Sequence, residues 1–130
     1  SLEEVTARAL VHHALGDCPH AEKERVEAGV QASYERRLQA ALARDPGAFR
    51  ASPGALALME RLRRDGHRLA IATGDWKPTV SVKLSAAGVP FRTMPMATSS
   101  DDASRAAIIQ LAAQRAGESL ENAVYVGDGA

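Results

Sequence analysis

Three short stretches of this 130-residue chain place reactive side chains where the backbone can present them to a ligand. The first is Ile71-Ala72-Thr73-Gly74-Asp75. A threonine hydroxyl beside a glycine amide, after an apolar strand and before a helix, suits one oxygen of a phosphate. Glycine lets the backbone come close, and the amides after it point outward. The second is Val126-Gly127-Asp128-Gly129, which sets a carboxylate between two glycines at the end of an apolar run. An oxygen donor so placed suits a hard cation such as Mg²⁺. The third opens at Ser99 and runs Ser-Ser-Asp-Asp-Ala-Ser-Arg into an apolar helix. Ser104 caps that helix and Arg105 falls in its first turn, where the charge opposes the helix dipole and a nearby anion would offset the cost. Each stretch also has a plainer role, with Thr73 closing a turn, Asp128 as a turn residue and Arg105 as a solvated cation.

The elements that must carry these residues change character along the chain. Residues 1–50 read as helix only, a helical segment set apart from the mixed pattern of residues 51–130. Ser1 and Glu4 have capping-box spacing for a first helix over residues 1–15, stopped by Gly16, Asp17 and Pro19. A second helix is predicted over residues 21–44, with Val26, Val30, Tyr34, Leu38 and Leu42 on one stripe. Residues 45–53 are a linker rich in Pro and Gly.

From residue 51 to 130 helix and strand alternate. Ser52 and Pro53 are placed to open a helix that turns Leu56, Met59 and Leu62 inward and closes at Gly66. Strands are predicted over residues 68–72, 89–96 and 123–126, with helices over 78–87 and 104–116 between them. Pro90 and Pro95 place the middle stretch at a sheet edge. This alternation defines an α/β class with a parallel sheet covered on both faces. Ligands of such sheets bind beyond the carboxyl ends of the strands, where Thr73 and Asp128 fall.

Composition narrows the partners. Lys and Arg number 16, as do Asp and Glu, so no net field favours nucleic acid or a membrane surface. No apolar run approaches the roughly 20 residues that span a bilayer, and no signal-peptide pattern opens the chain. Cys18 is the single cysteine, which rules out an intrachain disulfide. The cytoplasm is the expected compartment. His12, His13, Cys18 and His20 have no zinc-site spacing, and Arg61, Arg63 and Arg64 read as a solvated helix end. Oligomeric state and substrate leave no mark in the sequence.

Taken together, Gly-His-Arg-Leu-Ala-Ile-Ala-Thr-Gly from Gly66, Ser-Ser-Asp-Asp-Ala-Ser-Arg from Ser99 and Ala-Val-Tyr-Val-Gly-Asp from Ala123 resemble the haloacid dehalogenase (HAD)-like hydrolase superfamily. The resemblance covers residues 52–130, and more loosely the helices before them. It implies a partial Rossmann-like three-layer α/β/α core with a helical cap segment at its N-terminal end. It implies Mg²⁺ and a small phosphorylated metabolite as substrate. Thr73 and Gly74 would bind phosphoryl oxygens, Arg105 would stabilise charge, and Asp128 would hold the metal. Asp75 and Trp76 depart from the family's usual residues, as does Arg105 from its commoner lysine, for which Lys77 and Lys83 are weaker candidates.

In that superfamily a nucleophilic aspartate opens an Asp-x-Asp motif on the first strand of the core. No Asp-x-Asp occurs in this chain. The resemblance therefore implies an internal fragment, with the nucleophile upstream of Ser1 and a further acid downstream of Ala130. Such a chain is expected to be poorly stable and inactive alone, because the strands ending at Thr73 and Asp128 lack their shared neighbour. A metal-independent dehalogenase, a noncatalytic anion-binding remnant and an unrelated doubly wound domain are the alternatives.

Overall fold

A computed structural model describes residues 20–127. The helix expected over residues 1–15, Cys18 and the paired histidines lie outside the described residues, as does Asp128. Helix α1, His20–Arg44, is 25 residues rich in Ala, Glu and Arg, which lose little freedom on entering a helix. It stops at Asp45-Pro46-Gly47, where the Asp45 carboxylate accepts the Gly47 N–H at 3.2 Å. The expected apolar stripe narrows in practice. Leu38 is buried, Val30, Tyr34 and Leu42 are partly buried, and Val26 stays exposed.

Helix α2, Ala55–Arg64, starts later than Ser52 and Pro53 suggest. The Ala55 N–H donates to the Ser52 carbonyl at 3.0 Å. That closes a turn with Pro53 second and Gly54 third, and Gly54 has φ 84 and ψ −9. Proline and a left-handed glycine in those positions specify a type II turn, which displaces the serine cap. Gly66, at φ 85, ends the helix as expected, with His67 N–H bonded to the Leu62 carbonyl at 3.0 Å. The inward face expected of α2 is only partly realised. Met59 and Leu62 are partly buried, but Leu56 remains 40% exposed and the helix buries no residue fully.

Strands β1, Ile71–Ala72, and β2, Met96–Ala97, pair in parallel, Ile71 opposite Met96 and Ala72 opposite Ala97. Backbone bonds extend the ladder from Ile71 N–H to the Pro95 carbonyl and from Thr73 N–H to the Ala97 carbonyl. Both strands are shorter than the runs predicted over residues 68–72 and 89–96. Pro90 and a 3₁₀ turn, Phe91–Thr93, interrupt the second run, and the Thr93 hydroxyl donates to the Pro90 carbonyl at 2.8 Å. The strand predicted over residues 123–126 does not form. Ala123 is extended at φ −106 and ψ 146, but no neighbour among the described residues pairs with the segment. A strand exists only where a partner takes up its N–H and C=O groups. Without one, Val124 is 90% and Val126 81% exposed.

Helix α3, Lys77–Ala86, follows β1 and carries Pro78 in its first turn. It closes at Gly88, φ 78, where Val89 N–H reaches the Leu84 carbonyl at 3.0 Å. Helix α4, Arg105–Arg115, follows β2 and is capped by Ser104, whose hydroxyl accepts the Ala107 N–H at 3.4 Å. Ala97, Ile108 and Ala112 form the centre of the core, with Ala72 and Leu111 packed against them. Thus α4 covers the face bearing Ala72 and Ala97. Met96 and Thr98 alternate to the other face and meet Lys77 and Ser81 of α3 across a groove. A short parallel sheet with connecting helices is an α/β arrangement. No helix among the described residues is long and apolar enough to cross a membrane.

Candidate functional site

Both strands end in the same kind of turn. After β1, the Thr73 Oγ1 accepts the Asp75 N–H at 3.1 Å. After β2, the Thr98 Oγ1 accepts the Ser100 N–H at 3.1 Å. The two turns are joined by Ser99 N–H donating to the Asp75 carbonyl at 3.1 Å. In the parallel register Thr73 stands next to Thr98. A hydroxyl that accepts through its oxygen keeps its O–H to donate, and of the two Thr73 is the partly buried one, with Thr98 held inside the edge. Gly74 lies partly buried between Thr73 and Asp75. It is not among the glycines with positive φ, so what it contributes is room rather than a special conformation.

Thr98 is missing from the sequence expectations, yet it is 1% exposed and sits at the centre of this edge. A signal for it exists. Met96-Ala97-Thr98-Ser99-Ser100 repeats the order of Ile71-Ala72-Thr73-Gly74-Asp75: two apolar residues, a threonine, a small residue and a polar one.

The second turn is held by Asp101. Its Oδ2 accepts the Thr98 N–H at 2.9 Å, and its two oxygens take a two-pronged contact from Arg115 at 3.0 Å each. Arg115 also donates to the Met96 carbonyl at 2.6 Å, tying the end of α4 to the strand. The Arg115 hydrogen bonds, then that from Thr98, hold the Asp101 carboxyl below its ordinary value near 3.8. A depressed carboxyl stabilises the fold fully above its unfolded pKa, and this is lost as pH falls through the folded one. Asp101→Asn is expected to flatten the acid limb of unfolding below about pH 3.8 relative to the parent. Circular dichroism across an acid series measures it, and parallel limbs would show that this carboxylate does not bind protons on unfolding.

The first turn is held from another side. Asp75, 6% exposed, pairs with Lys83 of α3 at 3.2 Å. The Lys83 ammonium lies 5.6 Å from the centre of the Tyr34 ring, and Tyr34 meets Trp76 edge-on at 6.1 Å. Burial acts to lower the Lys83 pKa, but the Asp75 charge and neighbouring Tyr34 outweigh it and raise it above 10.5. Tyr34 belongs to α1, so this cluster joins the long helix to the turn bearing Thr73. Lys83 is thereby committed to Asp75.

Arg105 is the first residue of α4 and is exposed. It shares the carboxyl edge with Thr73, since α4 begins where the β2 connection leaves that edge. Among the described residues the structure brings Arg105 into no ion pair. Nor do three His, Cys, Asp or Glu side chains converge on a metal position among them. Asp128, expected to hold the metal, lies outside the described residues.

A parallel α/β unit with hydroxyl-bearing turns on its carboxyl edge is the framework of a ligand-binding or catalytic domain. A family model for haloacid dehalogenase-like hydrolases matches residues 4–130, and the chain belongs to that family. No curated protein and no solved structure matches it closely enough to add a relative.

Proposed function

We propose that the chain is the phosphate-binding and metal-holding part of a Mg²⁺-dependent small-molecule phosphatase of this hydrolase family. In this proposal the segment of residues 1–50 belongs to a cap, and residues 51–130 to a three-layer core. The observation that supports it is the edge built from the matching Thr73 and Thr98 turns, followed by the helix that begins with Arg105.

The roles follow from charge. A carboxylate that attacks a phosphate dianion works only where the repulsion is cancelled. The Thr73 O–H and the Gly74 N–H donate to phosphoryl oxygens and fix the phosphorus in line. Arg105 holds positive charge near the oxygens on which negative charge grows. Mg²⁺ at Asp128 supplies further charge neutralisation. The nucleophilic aspartate, which would form an aspartyl-phosphate, comes from outside residues 1–130. The substrate is a small phosphorylated metabolite in the cytoplasm.

The test is hydrolysis of p-nitrophenyl phosphate by the full-length translation product that contains this chain. Turnover is expected with Mg²⁺ and not with chelator, and Asp128→Asn is expected to abolish the Mg²⁺-supported turnover. The 130-residue chain alone is expected to be inactive. Chelator-resistant halide release from a 2-haloacid would instead establish the dehalogenase. Phosphate binding without turnover by the full-length product would establish a noncatalytic binder.

A further inference from the structure

The groove between α3 and the outer strand β2 is not used by the proposed reaction. It encloses about 460 Å³ and is lined by side chains from α3, the 3₁₀ turn, β2 and the end of α4. That volume lies in the range of small-molecule sites. Neither Thr73, Gly74 nor Arg105 lines it. Thr98 and Asp101, both of the turn after β2, stand at both places.

Its lining has two parts. Phe91 and Met96 make an apolar wall. Lys77, Arg92 and Arg115 bring three cations from three different elements, against one anion, Asp101. Asp101 is already engaged by Arg115. Lys77 also acts on the Asp101 charge, so three cations against one anion leave the groove with a net excess of positive charge. Arg92 lies 5.6 Å from the centre of the Phe91 ring, so one of the cations sits directly against the apolar wall. An excess of cations next to an aromatic wall matches a ligand with an anionic head and an apolar body.

We infer that this groove binds a small organic oxyanion, a phosphate or carboxylate carried on an apolar or aromatic skeleton, at a site separate from the strand-tip edge. Lys77 and Arg92 hold the head group, and Phe91 and Met96 cover the body. A second ligand held there touches the Thr98 turn, and so lies one strand away from Thr73.

Phenylphosphonate, which a phosphatase cannot hydrolyse, is a suitable probe. Saturation transfer from the full chain to its phenyl protons reads binding without a metal. Binding is expected to be saturable and to be displaced by inorganic phosphate only at about tenfold higher concentration, since phosphate lacks the apolar body. Lys77→Gln and Arg92→Gln are each expected to weaken it about threefold, and together about tenfold. Both side chains are exposed, and neither carries an ion pair among the described residues, so thermal melts of these variants should match the parent. Arg105→Gln removes a cation from the strand-tip edge and is expected to change binding by less than about twofold. Benzoate used as competitor separates the two head groups. Equal displacement assigns a carboxylate ligand and weaker displacement a phosphate. Absence of saturable transfer would overturn the inference. So would binding unaffected by the double variant, or binding weakened as much by Arg105→Gln, which would place the probe at the strand tips instead.

Discussion

Asp75→Ala is expected to destabilise the protein by about 2 kcal/mol and to loosen α1 from the turn that carries Thr73. Removing one partner of a fully buried ion pair costs about 3–5 kcal/mol, because the other charge is left in a poor solvent. Lys83 is a quarter exposed here, with its side chain at 24%, so part of that penalty is returned by water. The variant leaves an ammonium against the Tyr34 ring with no carboxylate beside it. The pH dependence separates this from simple loss of packing. A lysine whose pKa is raised on folding stabilises fully below its unfolded value near 10.5, and the contribution is lost as pH rises through the folded value. The parent should therefore lose stability at strongly alkaline pH, and Asp75→Ala should lose less over the same interval. Urea unfolding at neutral and alkaline pH measures both. A variant as stable as the parent would show that Lys83 finds adequate solvation by turning outward.

If the proposed phosphatase reaction holds, Arg105→Ala is expected to lower its kcat by about a hundredfold, the usual scale for removing one group that stabilises developing charge. KM should move less, since the charge it answers is largest in the transition state. Arg105→Lys keeps the charge and loses the forked head, so it should recover most of the rate. Arg105 is exposed and outside the core, so both variants should melt with the parent. A kcat within about twofold of the parent for Arg105→Ala would remove Arg105 from the reaction and turn attention to Lys77 as the edge cation.

The helices and their ends were legible because their signals are local. Ser104 caps its helix, and Gly66 and Gly88 take the left-handed conformation that ends theirs. Strand extent was not legible, because a strand is a relation between two segments. Residues 68–72 have the composition of a strand, yet only Ile71 and Ala72 find partners. Residues 123–126 have a better composition and find none among the described residues. Ser52 shows local signals competing, since Pro53-Gly54 makes a stronger turn than the serine makes a cap. At the candidate site, Thr73 and Gly74 were readable from the strand-turn-helix order. Thr98 was obscured by the prolines before it. The Asp75–Lys83–Tyr34 cluster was hidden because its members lie on a turn and two helices, with no pattern along the chain to link them.

The way α1 is attached has a mechanical consequence. At 25 residues and 1.5 Å per residue the helix is about 37 Å long. Tyr34 and the buried Leu38 fasten its later half, while Val26 nearer its start is exposed. Asp45-Pro46-Gly47 lies just past its other end as a natural pivot. A tilt of about 10° there would carry the His20 end through about 6 Å, roughly one helical turn. The aromatic contact lies about 15 Å from the Arg44 end, near the middle of the helix, and tethers it there.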